Sequence, residues 1–430
     1  GGRGGRGRAA PRRRGLLITP KAEWPRPDAA YQQRVLGGGE GGQVLYTYQP
    51  TARHAALRRE LEMLVQHTAD PQALFDLVRH EPGHVEALLQ LHAVARQTGQ
   101  RERAVEHLER ALYSLELGFH PTFAQAWLRG EARLDYDQPA NQPLSSPGTC
   151  RGQVTCPRTR ARHVPQANRP FFTALHLHAA GLSQRGCPAA ALAAATLLLS
   201  LDRSDPTSVL LWLDSLALRA GRPHLLAELE RDLPVAASLP GWAFSAALAA
   251  RLAAAELPAP SDPSSAAAAS ATGRLASALL AFPEGLPALL PSSSAAAAAP
   301  LLLRWTERFG PGGGGSSLSR AHLVALYAER AADLWAEGPR CEWLLGTARS
   351  TLDGLEAATR AGDELRERLA AASAATRRWY PARERGNRYA GDPFASLQSA
   401  EVVIPDDEPP PPPPPQPEAP PGQAAAGGGA

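Results

Sequence analysis

The chain has 430 residues, room for two or three ordinary domains, with 41 Pro and 38 Gly against one Met and a single lysine, Lys21. Apolar residues make up 44% and lean on Ala and Leu, while aromatics are 6%; this favours helix and excludes a mostly β protein, which would want more Val, Ile, Thr and Tyr. A net charge of +3 is too small for a whole-molecule polyanion binder, and four cysteines are too few for a disulfide scaffold. The longest apolar-leaning run, Ala189–Leu201, has 13 residues, short of the roughly 20 that a membrane span needs.

The preference for Arg over Lys reads as codon composition, since Ala, Arg, Gly and Pro all have GC-rich codons. No signal-peptide pattern opens the sequence, and its first residue is Gly rather than Met, so a preceding segment is expected. Sparse cysteine fits a reducing setting, cytosolic or nuclear.

Residues 1–16 carry six arginines and no acid, and are expected to be a disordered Arg/Gly tail. Residues 17–51 form a lead-in segment with an expected hairpin: Tyr31–Leu36, a glycine-rich turn at Gly37–Gly42, then Gln43–Tyr48 with β-favouring Val44, Tyr46 and Tyr48. From Ala52 the period becomes helical, with Leu57, Leu61, Leu64 and Val65 on one face. Asp70-Pro71 supplies a helix start, and Leu74, Leu77 and Val78 make the next stripe. Val85, Leu88, Leu89 and His92 line one helix, Gly99 marks a turn, and Val105, Leu108, Leu112 and Leu115 line its partner.

Gly99, Ala104, Leu108 and Ala111 fit the tetratricopeptide spacing of turn glycine, small, large and small residue. Gly186, Ala191 and Leu198 fit it less well, because Ala195 takes the large position; Gly221 follows Gly186 by 35 residues. The fold class expected is therefore all-α: over residues 52–256, an α-solenoid of degenerate TPR-like helical pairs, each needing its neighbours to bury an apolar face, with disordered tails. Residues 257–320 read as an Ala/Ser/Pro/Gly-rich low-complexity linker with a helical island at 275–290. A C-terminal helical region follows at 321–380, lined by Leu323, Leu326, Tyr327 and Leu334. Residues 381–430 read as a disordered acidic, Pro-rich tail whose run Pro409–Pro415 is expected to be polyproline II.

Three motifs look like chemistry. His80-Glu81-Pro82-Gly83-His84 matches the H-E-x-x-H pattern of zinc peptidases, which needs both histidines one turn apart on a continuous helix. Interior Pro costs about 3 kcal/mol and Gly about 1 more, so the segment reads as an inter-helix turn. Gly37–Gly42 satisfies G-x-G-x-x-G, but a strand follows where a dinucleotide site requires a helix, so a hairpin turn is expected. Cys150 and Cys156 with His163 are spaced too widely for half a zinc site. Around them, Asp137-Gln138-Pro139-Ala140-Asn141 is echoed by Pro165-Gln166-Ala167-Asn168. Deleting the 27 residues Gln142–Asn168 would join Asn141 directly to Arg169-Pro170-Phe171-Phe172, as excision of an unspliced intron would, and 142–168 is read as such an insert. No G-x-S-x-G, C-x-x-C or Walker pattern exists; no catalytic, cofactor-binding or metal residue is assigned.

One block is more specific than generic helical repeats. It runs Glu109-Arg110-Ala111-Leu112-Tyr113-Ser114, Phe119-His120-Pro121, Arg133-Leu134-Asp135-Tyr136, Asn168-Arg169-Pro170-Phe171-Phe172 and Arg185-Gly186-Cys187-Pro188. It continues through Asp205-Pro206 and Asp214-Ser215-Leu216-Ala217-Leu218-Arg219-Ala220, flanked by Pro20-Lys21 with Trp24-Pro25, His84–Leu91, Gly241–Ser245 and Leu279–Pro283. In these residues the chain resembles the transcription factor 25 family, the animal counterpart of a subunit of the yeast ribosome quality control complex. The resemblance runs from about residue 17 to 395 and is strongest over 84–245; of the family's long charged N-terminal region the sequence given holds only the Arg/Gly remnant.

The resemblance implies a non-enzymatic adaptor without cofactor. It would act with a listerin-type E3 ubiquitin ligase and other quality-control factors on stalled 60S ribosomal subunits, promoting proteasome-directing ubiquitination of aborted nascent chains. Ubiquitin is a further partner it suggests. The family's older name implies the alternative, a nuclear transcriptional repressor or corepressor platform. The expected location is cytosol and nucleus, with weak nonspecific RNA contact through the Arg/Gly tail and no membrane.

Overall fold

The computed structural model describes residues 15–67, 71–136, 167–256, 266–309 and 318–357. Most of the Arg/Gly tail, the segment holding Cys150, Cys156 and His163, the glycine run at 311–317 and the acidic tail lie outside the described residues. The fold is mostly helical, with fifteen α-helices among the described residues.

The N-terminal part departs from a purely helical fold. Strands β1 (Tyr31–Gly38) and β2 (Val44–Pro50) pair antiparallel, and β3 (Ala132–Leu134) joins β2 in parallel to make a sheet of order β1-β2-β3. The glycines between β1 and β2 allow left-handed backbone at Gly41 and Gly42, φ 70° and 79°, and β2 follows directly. β3 has only three residues and comes from far along the chain, so no local alternation announces it.

Helices α1 (Ala52–His67), α2 (Pro71–His80), α3 (Val85–Gln97) and α4 (Arg101–Leu117) follow the hairpin, and a short α5 (Phe123–Leu128) precedes β3. Then come α6 (Arg169–Gln184), α7 (Pro188–Leu201), α8 (Leu213–Arg219), α9 (His224–Asp232) and α10 (Pro240–Glu256). The pairs α3–α4 and α6–α7 turn in the same way. Gly99 and Gly186 adopt φ 73° and 75°, and the residue after each closes a helix end: Gln100 N–H donates to the Ala95 carbonyl at 2.8 Å, and Cys187 N–H to Leu182 at 3.0 Å. Gly221, φ 67°, does the same after α8, with Arg222 N–H donating to Ala217 at 2.9 Å. Each is a Schellman end, which a left-handed glycine permits without a Cβ clash. Ala104, Leu108 and Ala111 in α4 and Ala191, Ala195 and Leu198 in α7 are all buried, so the small residues let paired helices approach.

Within 257–320, expected as a low-complexity linker with a helical island at 275–290, the described residues are helical well beyond that island. The described part carries α11 (Ala266–Ala281), α12 (Gly285–Leu289) and α13 (Ser292–Phe309). Alanine is the strongest helix former, and these runs are pinned by buried Leu275, Leu279, Phe282, Leu301 and Trp305. Trp305 Nε1 donates to the Pro283 carbonyl at 2.9 Å. α14 (Leu318–Trp335) packs against α10 and α12, and α15 (Gly338–Ala357) against α11, α12 and α13. One apolar core runs from Ile18 to Leu352.

Of the proposed insert 142–168, only the last two residues are described. Residues 142–166 lie outside the described residues, but Ala167 and Asn168 are buried and structural. Asn168 Oδ1 accepts from Tyr48 N–H at 2.8 Å, and its Nδ2 donates to the Asp135 carbonyl at 2.6 Å, tying β2 to the strand exit after β3.

Candidate functional site

The H-E-x-x-H residues are dispersed by the fold. His80 ends α2 at the surface, with Nδ1 2.8 Å from its own helix's Asp76 carbonyl, and Glu81 pairs with Arg53. Pro82 and Gly83 make the turn, and His84 is the N-cap of α3, where its Nδ1 accepts from Ala87 N–H at 3.3 Å. The structure does not bring His80 and His84 onto one helix face. Gly83 has little room: a Cβ there would lie 2.6 Å from the Asp28 carbonyl oxygen.

His84 instead joins a buried cluster that the sequence pattern did not single out. Glu86, in the first turn of α3, receives the Tyr31 hydroxyl from β1 and lies 2.9 Å from His54 Nε2 of α1. Arg58 Nε is 3.6 Å from its Oε1, and His84 Nδ1 is 3.6 Å from its Oε2. The rings of Tyr31 and His54 stand 4.8 Å apart, and those of His54 and His84 4.7 Å apart. Burial alone would raise the Glu86 carboxyl, but the His54, His84 and Arg58 charges and the His54 hydrogen bond outweigh it, holding the carboxyl well below the usual carboxylate range. Burial, then the Glu86 charge, pushes the Tyr31 phenol well above its ordinary value, and burial lowers the His84 imidazole.

The ligand-type atoms of His54, His84 and Glu86 lie within 4.8 Å of one another, which by distance alone admits a metal ion. The donor chemistry fits poorly. The only carboxylate is engaged by a phenol and an imidazole and flanked by a guanidinium that would repel a cation, and His84 Nδ1 is committed to capping α3. The cluster reads as a hydrogen-bonded hub that holds hairpin, α1 and α3 together. A charged residue beside the apolar stripe of Val85, Leu88 and Leu89 was the available signal; its partners are too distant in sequence to be read there.

A second hub closes the far end. Asp214 of α8 accepts from Ser245 Oγ of α10 at 2.7 Å, Ser245 lies 3.0 Å from the Tyr327 hydroxyl of α14, and Trp335 Nε1 donates to that hydroxyl at 3.0 Å. All four residues are buried. Burial raises the Asp214 carboxyl to about 6 against the opposing pull of the Ser245 hydrogen bond, and burial with the Asp214 charge pushes the Tyr327 phenol well above its ordinary value. Nearby, Arg320 is fully buried and pairs with Glu284, both carboxylate oxygens lying 3.0 Å from its Nε.

The distinctive sequence block is largely structural. Tyr113 packs on Trp24, Ser114 donates to the Gly83 carbonyl at 2.8 Å, and Phe119 packs with tilted rings on Phe123 and edge-on against Phe171. Tyr136 N–H donates to Asp202 Oδ2 at 3.1 Å, and the Tyr136 hydroxyl accepts from Arg169 Nε at 2.9 Å. Asp205, φ 48°, turns its carboxylate onto Val209 and Leu210 N–H at 2.7 and 3.1 Å. Glu109, Arg110, Pro121, Asp135, Arg185, Gly186, Cys187 and Arg219 are among the members that remain at or near the surface.

Sequence comparison gives the context. The family described as transcriptional repressor TCF25 matches residues 46–145 and 156–387, so the match breaks only at 146–155, inside the proposed insert. The human protein named ribosome quality control complex subunit TCF25 is 30% identical over 349 residues, 79% of this chain and 46% of that protein. A probable transcription factor, claV of Ampulloclitocybe clavipes, is 31% identical over 67% of the chain and 35% of its own length. Ribosome quality control complex subunit 1 of Schizosaccharomyces pombe is 25% identical over 48% of the chain and 27% of its own. The chain thus spans less than half the length of these relatives, and no solved structure matches it. With the match covering most of the helical fold, the chain belongs to the TCF25 family.

Proposed function

We propose that this chain is the folded portion of a non-enzymatic adaptor subunit of the ribosome quality control complex. In this reading it works with a listerin-type E3 ubiquitin ligase on stalled 60S subunits and promotes proteasome-directing ubiquitination of aborted nascent chains, in the cytosol with access to the nucleus. The observation that carries it is alignment of the helical fold with relatives, human and fission-yeast, that bear the name of a ribosome quality control subunit. The helical pairs support it in kind. Their charged hubs tie helices to each other, and stacked pairs offer extended surface for protein contact. Quality-control factors and ubiquitin are the partners expected, with the Arg/Gly tail adding weak RNA contact.

Affinity purification of the chain at moderate salt tests the proposal. Recovery of 60S ribosomal proteins together with a RING ligase is expected; recovery of neither overturns it. The second reading, a nuclear corepressor platform, is favoured by the family description and by the fungal relative named as a probable transcription factor. Chromatin enrichment of the chain lacking residues 1–16, without ribosomal proteins, would select that reading.

A further inference from the structure

Residues 15–28 form a strap that is held at both ends. Glu116 of α4 is buried and accepts from the backbone N–H of Leu17 at 3.0 Å and of Ile18 at 3.2 Å. Trp24 is buried with its ring 6.5 Å from that of Tyr113, and a Cβ at Gly83 would meet Pro27 and the Asp28 carbonyl oxygen. Between these anchors the chain turns, with Trp24 N–H donating to the Lys21 carbonyl at 3.3 Å, and Lys21, Ala22 and Glu23 are left exposed. Glu109 of α4 feels the Lys21 charge. A primary amine is thus presented to solvent on a turn whose two flanks are packed.

That amine is the only one carried by a side chain here. Of 45 basic residues 44 are arginine (45 minus the one lysine), and no lysine occurs in residues 22–430. Lysine is ordinarily among the commonest residues. Codon composition explains how the bias arose, but its consequence is chemical. An ammonium can shed its proton and attack a carbonyl carbon, whereas a guanidinium stays protonated and does not. Arginines such as Arg101, Arg129, Arg203 and Arg222 keep exposed positive charge on the helical scaffold and offer no acceptor for acyl transfer.

Resting on the reading that the chain works beside a ubiquitin ligase, we propose that Lys21 is its single side-chain ubiquitin acceptor. The lysine-free helical scaffold then keeps the adaptor from being consumed by the enzyme it serves. The step is aminolysis of a ubiquitin C-terminal thioester carried by a conjugating enzyme. The bond from Lys21 Nζ to the carbonyl carbon forms as the C–S bond breaks. Of the two protons that the ammonium loses, one goes to the departing thiolate and one to solvent, and nothing is oxidised or reduced. An adaptor with many exposed amines would compete with the nascent chain for each activated ubiquitin. One acceptor on the strap confines that competition to a single position and makes it the place where the adaptor's own turnover is set.

The test combines the full chain with a thioester-loaded conjugating enzyme, a RING domain and ubiquitin whose own lysines are replaced by arginine, so that each attached molecule counts one acceptor. On reducing gels, which remove thioesters to cysteine, a single added ubiquitin is expected, and peptide mapping should place its Gly-Gly remnant on Lys21. Lys21→Arg should cut the product about ten-fold or more, since arginine carries no such nucleophile. Arg274→Lys, added to that variant at an exposed position of α11, should restore one adduct, because the scaffold is silent for want of an amine. No adduct on the native chain, adducts at other residues, product that survives Lys21→Arg, or failure of Arg274→Lys to restore it each overturns the proposal. The assay supplies the ligase directly, so a purification that recovers neither ligase nor ribosomal proteins sinks the adaptor reading without altering the acceptor assignment.

Discussion

Glu86 Oε2 lies 2.9 Å from His54 Nε2 across 32 residues of sequence, and this contact joins α1 to the start of α3 beneath the hairpin. The same carboxylate takes the Tyr31 hydroxyl, so a single side chain serves three elements.

Glu86→Ala should therefore cost about 3–5 kcal/mol, because it leaves Tyr31, His54 and Arg58 facing a buried vacancy. The pH dependence has a defined sign. A carboxyl held below its unfolded value contributes stability above the unfolded pKa, near 4.3, and loses it as pH falls toward the folded value. Chemical denaturation from pH 7 to pH 2 should show the gap between the native chain and Glu86→Gln narrowing below about pH 4. A gap independent of pH would contradict the charge assignment.

Asp214 should behave in the opposite way. Its carboxyl is raised to about 6, so the folded state holds a proton that the unfolded chain has released, and stability falls as pH rises from about 4 to about 6. The shift corresponds to about 3 kcal/mol, and Asp214→Asn should erase that slope. By contrast, Arg219→Ala removes a bidentate pair with Asp333 at 2.6 and 2.7 Å on the surface and should cost under about 1 kcal/mol. Denaturation at pH 4, 6 and 8 separates the two cases.

Removing residues 142–168 should leave a folded protein. Ala140-Asn141 then stands where Ala167-Asn168 stood, and Asn141 can take the hydrogen bonds to Tyr48 N–H and the Asp135 carbonyl. Shortening the connection lowers loop entropy by about 0.6 kcal/mol per halving, so Tm should be unchanged or slightly raised. Asn168→Ala in the full chain, and Asn141→Ala in the shortened one, should each cost about 2–4 kcal/mol. An equal effect of Asn141→Ala in both chains would refute the substitution.

Gly118→Ala should be among the most damaging single-methyl additions. A Cβ at Gly118 would sit 1.9 Å from the Tyr31 carbonyl oxygen, while the Gly118 carbonyl accepts from Gln33 N–H at 2.7 Å. The hairpin must move off the end of α4, at a cost of about 2 kcal/mol or more. Hydrogen exchange should show loss of protection at Gln33 before the α6–α7 pair is affected.

The helical period made α3, α4 and the Gly99 turn legible, because each rests on local spacing and on a left-handed glycine. The hubs at Glu86 and Asp214 were not, because their partners come from separate elements and no spacing rule links Tyr31 to Glu86 or Asp214 to Tyr327. The linker expected at 257–320 shows the same limit. Runs of Ala and Ser look featureless one residue at a time, and it is packing against α10, α14 and α15 that makes them core helices.

Composition and length had already settled the broad class. With Ala and Leu abundant, aromatics at 6% and no apolar run long enough to span a bilayer, a helical core was the economical way to bury surface, and the distinctive block identified the family. Tertiary structure alone decided which charges are buried and paired, and that a three-residue strand completes a sheet. The reason is physical: propensity and periodicity act over a few residues, whereas desolvation and hydrogen-bond satisfaction depend on whichever groups the fold brings within about 4 Å.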